Sequence, residues 1–315
     1  MPGLLIRVLS TGKTGTKFLS NVFADQGYFS YHENLYLGEP YSAVTQYLHM
    51  LSDLWKKDRE AYYALQSDFA EPYVGAVAEV LAPGPRKDAK KWRSRLRDRF
   101  SAKEEKARYV IHTAHNLTPA TPLIERALEK AGIESRTLIL YRNPLKTIHA
   151  LYLVEGKFTE DQVAYRMRPA SFSEGDEGIL GAASVWANLY QMAMDQRRHY
   201  GSEKFRLLEL ERFSNQLSYA QEIFEFCGLG FDGAKFSRFS QQELSKPLRA
   251  AKVDSARNSH LFHNPNFVFS ADEREIIHSR IGELLRDYSI DWERCVEDYV
   301  IFHGKEKAKL GFESI

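Results

Sequence analysis

Two glycines, two lysines and two threonines stand together near the start of the chain, in Gly12–Lys13–Thr14–Gly15–Thr16–Lys17. These residue types suit one task. Glycine lets the backbone turn tightly, so that successive N–H groups face one point, while threonine hydroxyls add donors and lysines add charge. The ligand such a loop expects is an anion, most simply a phosphate. A second cation, Arg142, opens the run Arg142–Asn143–Pro144. A guanidinium there can grip a phosphate through two parallel N–H bonds. The plainer alternatives are surface lysines in the first case and a surface ion pair in the second.

The surrounding pattern supplies elements that could position these groups. Leu4, Leu5, Ile6, Val8 and Leu9 form a short apolar run that reads as a buried strand. The small-residue loop follows it, and then an amphipathic helix over about residues 16–24, stopping near Gly27. Strand, loop and helix start place backbone donors and the positive end of the helix dipole at one spot. Residues 28–31 read as a short strand, with His32, Glu33 and Asn34 leaving its C-terminal end, where ligands bind in parallel α/β sheets.

Helices are expected over 42–80, where Val44, Tyr47, Leu48 and Leu51 keep helical spacing. Residues 109–113 read as a strand ending in Ala114–His115–Asn116, and 123–130 as a helix ending near Gly132. Residues 136–141 are the clearest strand, running directly into Arg142 and then a helix over 145–153. Gly156, Pro169, Gly175, Gly178 and Gly181 mark 155–181 as a loop insert. A long helix is expected over 183–198, with Trp186 assigned to the core because Val185 and Leu189 share its apolar pattern. A strand over 205–210 and helices over 219–227 and 271–287 complete the reading. Strands alternating with helices predict an α/β fold, a mostly parallel sheet flanked by helices. One domain spanning 1–315 is expected, with a helical insertion over about 42–108 and the loop insert over about 155–181.

Composition narrows the partners. Hydrophobic content of 43%, charged content of 27% and a net charge of +1 are ordinary for a soluble globular protein and give no general affinity for nucleic acid. Residues 86–108 are the exception, with eleven Lys/Arg against four Asp/Glu. That segment reads either as a solvated helical face or as a basic wall steering an anionic substrate. The two cysteines, Cys227 and Cys295, form neither a disulfide framework nor a zinc pattern. The histidines show no ligand spacing, so no metal is expected. No apolar run approaches the length of a membrane span, and the first strand leaves no room for a signal peptide. A cytoplasmic protein is therefore expected, with a homodimer allowed.

Three segments in order resemble the sulfotransferase family that uses 3′-phosphoadenosine 5′-phosphosulfate as donor. GKTGTKF resembles the family's 5′-phosphosulfate loop, most like the heparan sulfate N-sulfotransferase type. LILYRNPLKTIHALY resembles its 3′-phosphate segment, and FRLLELERFSNQLSYAQEIFEFCGL its later strand, Glu-containing turn and helix. The resemblance implies a P-loop-like sulfotransferase architecture. It implies that Lys13 stabilises the charge left on the departing phosphate. It also implies that Gly12, Thr14, Gly15, Thr16 and Lys17 hold the 5′-phosphate, with Lys17 standing where many members have a second Thr. Phe18 either stacks on adenine, as an aromatic residue does in relatives, or belongs to the core. Arg142 would hold the 3′-phosphate. The family's serine eight residues further on is Ala150 here, which leaves His149 beside it, or a basic residue elsewhere, as substitute. Arg249, Lys252 and Arg257 fall in the late loop that closes over this phosphate in relatives.

Sulfuryl transfer, like phosphoryl transfer, is an in-line displacement in which the protein positions groups and stabilises charge. The acceptor hydroxyl or amine must lose a proton, so a general base is needed within reach. Glu33 matches the catalytic glutamate of carbohydrate-type members, and His115 the catalytic histidine of cytosolic members. Either could serve, or both could be hydrogen-bonded rim residues, while His32 and His112 read as structural. The acceptor would be a small molecule or carbohydrate, with Tyr28, Tyr31, Tyr36 and Tyr41 as candidate wall residues of its pocket. Two other readings compete. Gly12–Lys13–Thr14 resembles the end of a Walker A loop of a P-loop kinase or nucleotide triphosphatase, but the earlier glycine would fall at Arg7, inside the strand. A non-catalytic binding module on the same fold is the other.

Overall fold

A computed structural model describes residues 3–11, 14–32, 41–81, 109–113, 117–154, 178–245 and 268–309. Five parallel strands form one sheet in the order β2-β3-β1-β4-β5: β1 (Leu4–Ser10), β2 (Phe29–His32), β3 (Tyr109–Thr113), β4 (Glu134–Tyr141) and β5 (Phe205–Glu209). The expected mostly parallel α/β sheet is thus present, and every described pairing is parallel. β1 sits at its centre and is buried along its whole length, as a strand covered on both faces must be.

Alternation along β1 divides the core. Leu4, Ile6 and Val8 pack with α1 (Thr16–Asp25) and with helices that follow β5. Leu5 and Leu9 point to the other face, into two separate clusters. The first of these holds α2 (Tyr41–Lys57), α3 (Arg59–Ala64), α4 (Glu71–Leu81) and α5 (Thr121–Lys130). The second holds α6 (Pro144–Val154) and α7 (Gly178–Tyr200), with two C-terminal helices described below. Between them on that face lies Arg7. It is buried, pairs with Glu125 and donates to Thr137 Oγ1 at 3.1 Å. Glu125 also takes Ser135 Oγ at 3.1 Å and pairs with Lys204. Position 7 is therefore strand interior, not the turn a Walker A glycine would make.

Most expected elements form close to where the pattern put them, and the differences have causes. α7 begins at Gly178, before the expected residue 183, because Gly181 is buried among packed helices and acts as a spacer, not a breaker. Residues 155–177 of the loop insert and the basic segment 86–108 lie outside the described residues. Three helices had no counterpart in the pattern: α8 (Leu210–Asn215), α10 (Gly233–Ser245) and α12 (Trp292–Lys309). Between and beside them run α9 (Leu217–Phe226) and α11 (Ala271–Asp287). α11 opens with a reciprocal capping box between Ser270 and Glu273. Trp186 is fully buried and stacks on Tyr190, as its spacing predicted. Tyr28 is corrected from pocket wall to core. It precedes β2, at the opposite end of the strand from the ligand-binding edge, and its hydroxyl donates to the Gly230 carbonyl at 2.8 Å.

Candidate active site

The chain leaves β1 towards β2 and β3, and leaves β4 towards β5 on the other side. Connections that diverge from adjacent strands open a crevice at their C-terminal ends, where ligands bind in such sheets. Ser10 of β1 pairs with Leu140 of β4, so the loop after β1 and the run Tyr141–Arg142–Asn143 begin side by side.

Gly15 is the pivot of the loop. It sits just before α1 with φ +95°, a left-handed conformation that favours glycine. A Cβ there would lie 2.7 Å from Leu210 Cδ2, so the end of that side chain would have to shift to admit one. No side chain caps α1, and its first turn carries no acidic residue. Its first N–H groups therefore keep the affinity for an external anion that a capping carboxylate would use up. Thr14 is 1% exposed and Thr11 4%, and among the described residues neither Oγ1 finds a hydrogen-bond partner. Buried hydroxyls without partners are costly and uncommon. A phosphate in a glycine-shaped cradle beside a helix start is a ligand that fits them. Thr16 is buried, and Lys17 is exposed. Phe18 is half-buried and packs against the cluster that includes Phe239, 6.3 Å away between ring centres.

At the end of β4 the Arg–Asn–Pro run has a clear physical logic. Asn143 Oδ1 accepts from the backbone N–H of Leu145 at 3.0 Å and of Lys146 at 3.3 Å, capping α6. Pro144 takes the first helical position, where its missing N–H costs nothing. Asn143 Nδ2 donates to the Cys295 carbonyl at 2.9 Å and so ties α12 to this corner. The cap leaves Arg142 at the crevice. Arg142 Nε lies 3.8 Å from Glu211 Oε1, and Lys146 Nζ lies 3.5 Å from the same oxygen. Both cations also face the Phe302 ring, Arg142 Cζ at 5.4 Å and Lys146 Nζ at 5.2 Å from its centre. Burial pushes the Lys146 pKa down; Glu211 opposes that and Arg142 adds to it.

Of the residues singled out in the sequence, Thr14, Gly15, Thr16, Lys17, Phe18 and Arg142 fall on this edge. His149 does not open onto it. It is buried in α6, with Nδ1 2.8 Å from His303 Nε2 and rings of Phe269 and Tyr299 around it. His112 is buried and bonded to Tyr73, Nδ1 to Oη at 3.0 Å, as a structural histidine. Gly12, Lys13, Glu33, His115 and Arg257 lie outside the described residues. Lys146, Glu211 and Phe302 went unmarked in the pattern. One signal was available: Lys146 is four residues beyond Arg142, about one helical turn into a helix that starts at the crevice. Cys227 and Cys295 are both free and buried, and burial lifts each thiol to about 12. Among the described residues no group of His, Cys, Asp and Glu could hold a metal ion, and no helix is long and apolar enough to cross a membrane.

No protein-family model matches the sequence, and neither does any curated protein. Among solved structures, the chain is similar to the sulfotransferase domain of a Synechococcus olefin synthase, at 18% identity and a TM-score of 0.40, over 74% of this chain and 76% of that one. It is similar to a sulfotransferase from Mycobacterium avium at 12% identity and a TM-score of 0.43, over 92% of this chain and 78% of that one. A sulfotransferase domain from the curacin biosynthetic pathway is similar at 14% identity and a TM-score of 0.44, over 90% and 98%.

Proposed function

We propose that this chain is a sulfotransferase. It would move a sulfuryl group from 3′-phosphoadenosine 5′-phosphosulfate to a hydroxyl or amine of a small molecule or glycan. The observation that carries this reading is the meeting of three separate motifs at one edge of the sheet. Gly15 of the first loop packs on Leu210, whose neighbour Glu211 faces Arg142 and Lys146 of the second motif. One anion cradle would suit many nucleotides. A second cationic corner on the adjacent strand suits a nucleotide with phosphates at both ends of its ribose, and Arg7 inside β1 counts against the Walker A alternative.

In the proposed reaction the loop binds the 5′-phosphosulfate through backbone N–H groups and the Thr14 and Thr16 hydroxyls. Arg142 binds the 3′-phosphate. Lys13 donates to the oxygen that bridges sulfur and phosphorus. As the acceptor attacks in line, the sulfur–oxygen bond breaks and negative charge collects on that oxygen. Glu33 or His115 takes the acceptor's proton. The donor is already activated, so binding, alignment and charge stabilisation are the protein's share of the work.

The test is transfer of radiolabelled sulfate from the donor to a panel of phenols, alcohols, amines and oligosaccharides, with wild type and Lys13→Ala compared. Labelled product with wild type, falling by orders of magnitude in Lys13→Ala at unchanged folding, is the expected result. Labelled product made equally well by Lys13→Ala would refute the assigned role. No transfer to any acceptor, with the nucleotide still bound, would favour the binding-module reading.

A further inference from the structure

At the end of the sheet away from the crevice, the chain lines a cavity of about 690 Å³. Small-molecule sites commonly run about 300–1,000 Å³. β4 begins at this cavity with Glu134 and Ser135 and ends at the crevice with Tyr141, so strand length puts roughly 23 Å between the two places. The most buried lining residues are Glu125, Leu128 and Ser135. One wall is aromatic. Tyr63, near the end of α3, lies parallel to His199 with ring centres 3.8 Å apart, and Tyr200 meets both rings edge-on, at 6.2 and 4.7 Å. Rings in this arrangement suit an apolar or aromatic body laid against them.

Charge in the cavity is sorted by depth. The Glu125 carboxylate is almost fully buried and is shared by two cations, Arg7 behind it and Lys204 beside the opening, with Ser135 Oγ donating at 3.1 Å. Arg126 and Arg136 add two half-buried guanidiniums. Arg126 donates to the carbonyls of Leu65 and Tyr63, and Arg136 to that of Phe226, bonds that hold each group in place without neutralising it. The remaining carboxylates, Glu129, Glu134 and Glu203, are all exposed, with Glu134 3.6 Å from Arg136. Water and salt screen exposed charges more than buried ones, so the inner part of the cavity is net positive. Burial, with the Arg126 charge adding to it, pushes the His199 pKa down, so that ring is neutral at neutral pH. Lys204 and both guanidiniums keep N–H donors beyond the bonds already named.

We propose that this cavity is a second binding site, for a small organic acid: a carboxylate held by Lys204 and the neighbouring guanidiniums, on an apolar or aromatic body packed against Tyr63, His199 and Tyr200. The site stands apart from the nucleotide reading, because the cavity shares no lining residue with the crevice.

The experiment is an NMR titration of the whole chain with phenylacetate, phenylacetamide and phenethylamine, probes alike in shape and different in charge. Phenylacetate should shift the amide signals of Leu128, Ser135, Tyr200 and Lys204 saturably. It should bind about tenfold tighter than the neutral amide, the scale of one charge-assisted contact, with the amine weakest. Lys204→Met should bring the acid down to the affinity of the amide and leave the amide itself unchanged, while Lys204→Arg should keep most of the difference. Thermal melts confirm that each variant folds. If Lys204→Met does not, the three probes in wild type decide alone. No saturable shift with phenylacetate, equal binding of the three probes, a preference for the amine, or shifts confined to the crevice around Thr16 and Arg142 would each overturn the inference. So would an affinity for phenylacetate that folded Lys204→Met leaves unchanged.

Discussion

Gly15 and Leu210 approach so closely that a Cβ on Gly15 would stand 2.7 Å from Leu210 Cδ2. The contact joins the loop after the central strand to the turn after the last one. It links the loop after β1 to the Arg142–Lys146 corner, because Glu211 follows Leu210 directly.

Gly15→Ala tests both demands on that position. A left-handed alanine costs roughly 1–2 kcal/mol, and the crowding on Leu210 adds to it. Urea unfolding should show a loss of that order. Adding Leu210→Ala to Gly15→Ala should remove the crowding without removing the backbone strain. Equal stability of wild type and Gly15→Ala would show that neither demand exists.

Asn143 holds the corner in two ways that two substitutions separate. Asn143→Ala loses the α6 cap, worth about 0.5–2 kcal/mol, together with the bond to the Cys295 carbonyl. Asn143→Asp keeps the cap oxygen but sets a second acceptor oxygen against the Cys295 carbonyl in place of the donor. Chemical denaturation should show both variants less stable than wild type, and a wild-type stability in Asn143→Asp would show that the bond to Cys295 contributes nothing.

The Lys146 pKa gives a signed pH dependence. Burial, against the pull of Glu211, lowers it in the folded chain below its value in the unfolded one. Between the lowered value and the ordinary lysine range the unfolded chain binds more protons, so this group makes stability rise with pH across that window. Lys146→Met should lose this contribution, read as a shallower rise of the urea-unfolding free energy with pH across that window.

Arg7 and Glu125 make the opposite case, a buried pair remote from the crevice. Removing one partner of such a pair costs about 3–5 kcal/mol, because it leaves an uncompensated charge in the interior. Glu125→Gln should lose stability on that scale in urea while keeping nucleotide affinity once folded. A loss below about 1 kcal/mol would show that Thr137 and the remaining amide oxygen satisfy Arg7 without a carboxylate.

What could be read in advance was set by the range of each interaction. The first strand, its glycine loop and the Arg–Asn–Pro corner were legible because each is local: apolar run, positive-φ turn, N-cap and N1 proline lie within a few residues. α12 was not, because its buried stripe is Cys295, Tyr299 and His303, four residues apart but without an aliphatic side chain to mark it. α10 buries only Phe236 and Ser240 among its described side chains, too thin a stripe to stand out. Glu211 and Phe302 meet Lys146 only through the tertiary fold, from turns and helices far along the chain. His149 shows the converse: beside the missing serine in sequence, it turns inward to His303 because α6 must bury that face.

A nucleotide phosphorylated at both ends is the ligand proposed for the loop after β1 and the Arg142 corner together. Calorimetric titration of wild type with adenosine 3′,5′-bisphosphate in metal-free buffer, and with ATP and Mg²⁺ in parallel, tests it most directly. Saturable binding of the bisphosphate without metal, and at least tenfold weaker binding of ATP, is the expected result. Binding of ATP with Mg²⁺, with the bisphosphate ignored, would contradict it.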